Sequence, residues 1–341
     1  MKPRLLIAPI LAAVLLIAAA ACKDSRKSML PPVNGATNEV LVLMNKALWE
    51  GTVGDTVKHW FGQEQIGLPQ EEPIFDLLNL PPAMFDKNVK AHRNVLLVEI
   101  APQYDTASIV FKESPWAASQ KYFAIKAPNE EAFYTIFDAN KQKIMAVFLK
   151  AERDRLSEVY KKTSELSIFN LFKDKYHMIV NCPVGYNINK DTKNFVWLSM
   201  ETQKNSRGII FFERKYLSEN QFQYDVILDS VNAELKRYVP GPLANTYMAV
   251  DRTLPVNAST YNYDEDHYAV MMKGLWMVEN DFMAGPFVLN TVLDQKNNRI
   301  VYMMGYVYAP DENKRNMLRQ VEAILFSTDL DIDEPAKEQS K

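Results

Sequence analysis

The chain has 341 residues, of which 48% are hydrophobic and 24% are charged, and this length is enough for one large or two medium domains. The formal net charge of −3 argues against nucleic acid as a partner, because nucleic-acid-binding chains carry a basic excess. Only two cysteines are present, Cys22 and Cys182, which excludes a disulfide-rich scaffold.

The first 21 residues have the order of a bacterial lipoprotein signal peptide. A basic start is followed by an apolar stretch from Leu5 to Ala18, and small residues then lead directly to Cys22. We therefore predict that residues 1–21 are removed and that Cys22 is lipidated, which would attach the chain to a membrane. An ordinary secretory signal with an incidental Cys22 is the alternative. A transmembrane anchor is disfavoured, because the stretch has about 17 apolar residues where roughly 20 are needed.

Residues 22–37 are short, polar and interrupted by proline, which predicts a tether. The following N-terminal half is assigned to residues 38–162. Its predicted strands are 39–43, 92–100, 106–112 and 120–126, and its predicted helices are 52–61 and 129–161. The longer helix is indicated by apolar residues that recur every three or four positions.

The C-terminal half is assigned to residues 163–328, and residues 329–341 are predicted to be a flexible tail. Predicted helices are 164–173, 220–238 and 317–325, and predicted strands are 177–188, 194–201, 208–213, 247–252, 267–278, 287–293 and 300–308. Helices that follow runs of adjacent strands indicate an α+β fold. We expect antiparallel sheets with amphipathic helices packed on one face, in two halves of similar size.

Standard catalytic motifs are absent: the sequence contains no P-loop, no dinucleotide-binding glycine motif, no H-E-x-x-H, no G-x-S-x-G and no C-x-x-C. The four histidines, His59, His92, His177 and His267, have no partner at helical spacing, so neither a metal site nor a cofactor is predicted. Cys182 lies in an apolar run and is predicted to be a buried structural thiol.

The segment from residue 274 to residue 287 is the densest candidate site. Large apolar side chains alternate there with hydrogen-bonding and turn-forming residues, which suits either stacking on a flat ligand such as a sugar or a structural turn. The candidate residues are Trp276, Asn280, Asp281, Phe282, Gly285 and Phe287.

Two charged segments have alternative interpretations. Asp264, Asp266 and His267 suit either a solvated hairpin tip or, together with Asp281, the carboxylates of a hydrolase of unfamiliar type. The basic residues Lys314, Arg315 and Arg319, near the last helix, are predicted to form a solvated face rather than an anion site.

Several runs resemble an uncharacterised lipoprotein family of the Bacteroides group. They are 68–73, His92-Arg93-Asn94, 274–287, 305–310 and Lys314-Arg315, and the similarity spans nearly the whole mature chain. Ala284 departs from the family, in which glycine is more frequent at that position. The resemblance implies an envelope location and supplies no catalytic residue. Lys23 after the cysteine is consistent with the outer membrane, and Lys23-Asp24 matches a surface-export signal only in part, so an orientation towards the periplasm or the cell surface stays open.

Together these observations predict an outer-membrane lipoprotein, anchored through Cys22, that acts as a non-enzymatic binding or scaffolding module. Its expected partner is an envelope protein or a glycan. The alternative is the hydrolase that would use carboxylates near His267.

Overall fold

The computed structural model describes residues 30–332, which form two compact units. The first unit contains residues up to Gln63 and the stretch Phe75–Ala151. The second contains Glu64–Ile74 and the residues from Glu152 onward. Residues 1–29 and 333–341, and with them the predicted signal peptide, Cys22 and most of the predicted tail, lie outside the described part.

The first unit combines five strands with three helices. Their order along the chain is β1 (Glu39–Leu43), α1 (Lys46–Trp49), α2 (Thr52–Phe61), β2 (Asp76–Leu80), β3 (Asn94–Ile100), β4 (Ser108–Glu113), β5 (Lys121–Ala127) and α3 (Glu130–Lys162). A short 3-10 helix, Pro82–Met84, follows β2. The division between the units falls within α3, after Ala151.

The sheet of the first unit is mixed, with the strand order β2-β1-β3-β5-β4. Strand β1 is parallel to β2 and β3, β3 is parallel to β5, and only β4 and β5 are antiparallel. The expectation of an antiparallel sheet is therefore corrected here. The physical reason is that α1 and α2 connect β1 to β2. They carry the chain back to the end of the sheet where β1 began, so that β2 can run in the same direction, as a parallel connection requires.

Each face of this sheet has its own apolar cover. Alternate residues of β1, β3 and β5, such as Val42 and Phe123, face one way and are buried. On that side the rings of Phe61 and Phe148 lie 6.2 Å apart, and the rings of Phe123 and Phe148 lie 5.6 Å apart, so α2 and α3 share one aromatic core with the sheet. The opposite side is covered by loop residues that include Phe85 and Trp116.

The second unit contains eight strands and three further helices. Their order is α4 (Leu166–Leu171), β6 (Asn187–Asp191), β7 (Phe195–Glu201), β8 (Ser206–Lys215), α5 (Tyr224–Tyr238), β9 (Met248–Val250), β10 (Asn257–Asn262), β11 (Tyr268–Val278), β12 (Ala284–Asp294), β13 (Arg299–Tyr308) and α6 (Arg315–Leu325). A π-helical turn, Phe172–Tyr176, extends α4, and a 3-10 turn, Glu219–Phe222, precedes α5.

The large sheet has the order β10-β11-β12-β13-β8-β7-β6, with β9 paired to β11. Every ladder in it is antiparallel, which confirms the expectation for this unit. The α+β class is also confirmed, with 30% of residues in helices and 35% in strands.

Helices cover both faces of this large sheet, which corrects the prediction of helices on one face. Odd-numbered residues of β13, such as Val301 and Met303, pack with α6, and even-numbered ones, such as Tyr302 and Met304, pack with α5. Because both faces are covered, β12 and β13 are buried at almost every position, and apolar side chains occupy both faces instead of alternating with exposed polar ones.

Most predicted elements are present within a few residues of their predicted limits. The strand predicted at 177–188 is wrong. Only residues from Asn187 onward join the sheet, while His177 is left-handed, with φ 52°, and Met178, Val180 and Cys182 are buried in an irregular segment. Strands β2 (DLLNL) and β10 (NASTYN) were not predicted, because neither has the regular alternation of apolar and polar residues that indicates a strand.

The described ends of the chain are attached to their units. Pro32 and Asn34, within the predicted tether, form bridges with Ala118 and His92. At the other end, Asp329 forms a bridge with Ile179, at the start of the predicted tail.

Candidate ligand-binding cavity

An aromatic cavity of about 410 Å³ opens at one end of the large sheet, on the face that carries α5. Its walls include Trp197 of β7, Trp276 of β11, and Tyr306 and Tyr308 of β13. Strand alternation places these side chains together, because they all occupy positions that face α5. We refer to this space, with those four side chains as its wall, as the aromatic cavity.

Trp276 and Tyr306 form the fixed part of this wall. Their rings meet edge to face with centroids 5.4 Å apart. The Trp276 indole donates a hydrogen bond of 3.2 Å to the carbonyl of Val307, and the Trp197 indole donates one of 2.9 Å to the Tyr306 hydroxyl. Burial raises the pKa of Tyr306 despite the opposing hydrogen bond from Trp197, so this hydroxyl stays neutral.

Two glycines make room for these large rings. Gly208 lies opposite Tyr306 in the β8–β13 ladder, and a Cβ atom at Gly208 would overlap the Tyr306 ring. Gly285 lies opposite Trp276 in the β11–β12 ladder, and a Cβ atom there would overlap the Val307 carbonyl. The wall therefore depends on cross-strand pairs of one large and one minimal residue.

The rim of the aromatic cavity is polar. It is formed by the hairpin between β7 and β8, including Glu201, Lys204 and Asn205, and by the segment 239–242 after α5. The Asn205 amide nitrogen donates a hydrogen bond of 2.5 Å to the Glu312 carboxylate, which fixes the orientation of the amide. An apolar wall with a few polar groups at its edge is the usual composition of a site for an organic ligand.

The structure separates the six candidate residues of the segment 274–287. Trp276 alone among them lines the cavity, and Phe287 lies fully buried in the core beside α5. Phe282 is fully exposed at the tip of the β11–β12 hairpin. These three positions show that the large apolar residues of this segment do not form one surface.

The other three candidates shape the backbone. Asn280 has a left-handed φ of 63°, and the Asp281 carboxylate accepts hydrogen bonds from the backbone N–H groups of Phe282 (2.5 Å) and Met283 (3.2 Å). Gly285 lies within β12, not in the bend. Asn280 and Asp281 therefore form a turn, as one of the two interpretations of the sequence has it.

Of the carboxylates of the hydrolase alternative, Asp264 and Asp266 lie in one turn with His267, and Asp281 is separated from them. Asp264 caps the turn before β11: its carboxylate lies 2.8 Å from His267 Nδ1 and accepts the His267 backbone N–H at 2.9 Å. Partial burial raises the pKa of Asp264, but these hydrogen bonds outweigh that effect and lower it overall. Asp281 lies beyond the far end of the 11-residue strand β11, roughly 35 Å away at about 3.3 Å per residue.

The basic residues of α6 are buried, so the prediction of a solvated face is wrong. Lys314, Arg315 and Arg319 are 3%, 7% and 2% exposed. The Glu72 carboxylate accepts the backbone N–H groups of Lys314 (2.6 Å) and Arg315 (3.0 Å), and it thereby caps the helix from a distant part of the sequence. Residues 64–74 belong to the second unit and cover this helix start, which sequence spacing could not reveal.

The missed residues of the cavity wall are Trp197, Tyr306 and Tyr308. These side chains lie in strands of apolar pattern, and only the register of the successive pairs β11–β12, β12–β13, β13–β8 and β8–β7 brings them near Trp276. Cys182 is free and fully buried, and burial raises the pKa of its thiol, which confirms the structural interpretation.

Among residues 30–332, no group of three or more His, Cys, Asp or Glu side chains is placed to hold a metal ion. Within the same residues, no helix is both long and apolar enough to cross a membrane.

Two family models match the chain, and both are domains of unknown function. DUF8532 matches residues 33–161 and DUF4837 matches residues 165–327. The chain thus contains two uncharacterised domains. No curated protein matches it.

The structure is similar to that of the Ran-binding protein Mog1p of Saccharomyces cerevisiae, with 7% sequence identity. The similarity covers 45% of this chain and 89% of that chain, with a TM-score of 0.31. A likeness at this level carries no argument about the function of this chain.

Proposed function

We propose that this protein is a non-enzymatic binding module of the bacterial envelope, held at the outer membrane through Cys22, and that its aromatic cavity binds a glycan. The aromatic cavity is the observation that carries the proposal. Its volume of about 410 Å³ lies within the range of ligand sites, roughly 300–1,000 Å³. A sugar of one or two rings fits that range.

The chemistry of the wall favours a sugar over a purely apolar ligand. Sugar rings present C–H faces that pack on aromatic rings, and their hydroxyl groups need hydrogen-bonding partners at the edge. Trp197 and Tyr308, which are partly exposed, supply the aromatic faces, while Glu201, Lys204 and Asn205 supply polar groups at the rim. Both kinds of contact are therefore available to one ligand.

The small number of carboxylates near the cavity favours binding over cleavage. Glycoside hydrolysis ordinarily uses two carboxyl groups on either side of the bond that breaks. Among the described residues that line the aromatic cavity, Glu201 is the only one with a carboxylate. In the hydrolase alternative Asp281 cannot act together with Asp264, because these two residues lie at opposite ends of β11.

The cavity is tested by replacing Tyr308, which is partly exposed at its wall, with alanine. We expect Tyr308→Ala to weaken oligosaccharide binding about tenfold, since aromatic packing contributes on the order of 1 kcal/mol beyond the area it buries. Binding is measured by calorimetry and by the fluorescence of Trp197 and Trp276 against a panel of neutral and acidic oligosaccharides.

Tyr224→Ala is the matched control, because Tyr224 is 47% exposed and lies away from the cavity. A panel in which no oligosaccharide binds would contradict the proposal. Equal affinities for Tyr308→Ala and Tyr224→Ala would contradict it as well.

The anchor is tested separately by Cys22→Ala. Three acyl chains on Cys22 would hold the protein firmly, because each buried CH₂ contributes roughly 0.8 kcal/mol. We expect radiolabelled palmitate to be incorporated into the wild-type protein and not into Cys22→Ala, with Cys182→Ala as the control. Labelling of Cys22→Ala would show that the anchor has been assigned wrongly, without affecting the test of the cavity.

A further inference from the structure

A second cavity, of about 560 Å³, lies beside the aromatic cavity and is lined by positive charge. Lys190 comes from β6, and Lys236 and Arg237 come from the last turn of α5, with the rings of Tyr238 and Tyr247 between them. No carboxylate is present among the described residues that line it. We call this space the basic cavity.

The charges of the basic cavity are not neutralised by the protein. Among residues 30–332, no carboxylate forms an ion pair with Lys190, Lys236 or Arg237. Lys236 lies 4.9 Å from the centre of the Tyr247 ring, and Arg237 lies 4.9 Å from the centre of the Tyr238 ring. Such contacts hold a cation in place and leave its charge intact.

Helix stability explains only part of this arrangement. Cations in the last turn of a helix are stabilised by its dipole, which accounts for Lys236 and Arg237. Lys190 belongs to a different element. A third cavity, which shares Arg237 and Tyr238 with the basic cavity, adds Lys193 and Lys215 to the same positive surface.

The two carboxylates of that third cavity already have cationic partners. Glu213 pairs with Arg299 at 2.7 Å, and Glu234 pairs with Arg214 at 3.0 Å. They do not compensate Lys193 or Lys215. The surface around the basic cavity therefore keeps a net positive charge.

One segment forms a common wall between the aromatic and basic cavities. Pro240 lines both, Val239 and Gly241 line the aromatic cavity, and Tyr238 lines the basic cavity. The Pro240–Tyr247 bridge holds this segment in place. A ligand that occupies both cavities must pass over Pro240, so it needs at least two linked rings.

We propose that the ligand of the aromatic cavity is an acidic oligosaccharide, one of whose rings carries a carboxylate or phosphate into the basic cavity. This inference rests on the proposed function and names the class of glycan. The neutral ring packs on the partly exposed Trp197 and Tyr308, and the anionic group accepts hydrogen bonds from Lys190, Lys236 and Arg237. The anion is placed at this end because the lining of the basic cavity has three cations and no carboxylate among the described residues, whereas the rim of the aromatic cavity has both Glu201 and Lys204.

The proposal is tested with pairs of oligosaccharides that differ only in charge. The probes are hexagalacturonate and its methyl ester, and a phosphorylated mannan oligomer and its dephosphorylated form. We expect the full chain to bind the acidic member of one pair at least about tenfold more tightly at low salt, because charge-assisted hydrogen bonds are roughly twice as strong as neutral ones. This preference should fall as salt is added.

The variant Lys190→Gln/Lys236→Gln/Arg237→Gln removes the charge of the basic cavity. We expect its affinity for the acidic probe to fall to that for the neutral probe, with the neutral affinity unchanged. Lys112→Gln/Lys143→Gln/Lys173→Gln is the control, because it removes the same charge from exposed positions elsewhere and should keep the preference.

The possible results separate this inference from the proposed function. Equal binding of acidic and neutral probes, still weakened by Tyr308→Ala, would overturn the acidic class and leave glycan binding in place. If both triple variants lost the preference for acidic over neutral probes equally, the preference would reflect the net charge of the protein. That result would also overturn the basic cavity as the binding site of the anionic group. If no probe of either pair binds, both proposals fail.

Discussion

The two units differ in how deeply they bury charge. The first unit has a five-stranded sheet, whose outer strand β4 is exposed along most of its length, and one buried histidine, His92. The second unit buries a carboxylate, Glu322 of α6, which pairs with Arg319 of the same helix and with the partly buried Lys273 of β11. A buried ionised group has no route to water, so it needs partners inside the protein.

Each oxygen of the buried Glu322 carboxylate has a cationic partner. Lys273 Nζ lies 2.7 Å from one carboxylate oxygen, Arg319 pairs with the other, and Arg319 also donates a hydrogen bond of 3.1 Å to Gln65. Burial alone would raise the pKa of Glu322. The charges of Arg319, Lys273 and Arg153 together outweigh burial and lower that pKa to about 2.

The largest expected effect comes from Glu322→Gln. Removing one partner from a buried ion pair leaves uncompensated charge, so we expect a loss of about 3–5 kcal/mol in the free energy of unfolding at pH 7. Because the folded pKa is lowered, this stabilisation is present above the unfolded pKa near 4.5 and is lost as the pH falls towards about 2. Denaturant unfolding of both proteins between pH 7 and pH 2 measures the difference.

Glu158→Gln is the matched control, because Glu158 pairs with Lys161 at 2.9 Å on an exposed helix surface. Exposed pairs of this kind contribute on the order of 0–1 kcal/mol. Glu158 and Glu322 both belong to the second unit, so if both variants lost the same small amount, burial would give the ion group of Glu322 no energetic advantage over an exposed pair.

A smaller effect is expected in the first unit, at His92. Its Nδ1 lies 3.1 Å from the Asn94 carbonyl, and its Nε2 lies 3.5 Å from the Glu39 carboxylate and has no hydrogen-bond partner among the described residues. Burial lowers the pKa of His92, and the nearby Asn94 carbonyl and Glu39 oppose this only in part. Arg93 also lowers it. His92 is therefore buried in its neutral form.

Folding is expected to weaken as the pH falls through the lowered pKa of His92. Above pH 6.5, the pKa of His92 in the unfolded chain, His92 is neutral in both states and does not change the free energy of unfolding. Below that pH the unfolded chain binds the proton more readily than the folded protein, so stability falls. We expect a loss on the order of 1 kcal/mol between pH 7.5 and pH 5 in the wild type, and a flatter profile in His92→Gln. Hydrogen exchange of the amides of β1 and β3 reports on this unit.

His59→Gln serves as the control, because His59 is exposed on α2. It should keep the wild-type dependence on pH. If the stability of His92→Gln depended on pH as that of the wild type does, the effect would come from other groups and not from His92.

The connections between strands explain what could be predicted. In the second unit β11, β12 and β13 are joined by short hairpins, so strand patterns next to turn residues were enough to locate them. In the first unit the order β2-β1-β3-β5-β4 depends on longer connections, and β2 (DLLNL) lacks the alternation of apolar and polar residues that indicates a strand. The parallel pairing was therefore not predicted.

The candidate site was predicted only in part, for a similar reason. Trp276 was found because it lies in a dense aromatic segment, whereas Trp197 and Tyr306 come from distant strands and meet it through register. Glu72, more than 240 residues from Lys314, shows the same limit in the core.

The sequence by itself determined the α+β class, the long helix α3, the antiparallel hairpins, and the buried state of Cys182. All of these depend on local periodicity or composition. Only the tertiary structure decided which faces of the large sheet are covered, where the basic residues of α6 lie, and which rings form the aromatic cavity. These features depend on contacts between residues far apart in the chain, whose partners no local pattern specifies.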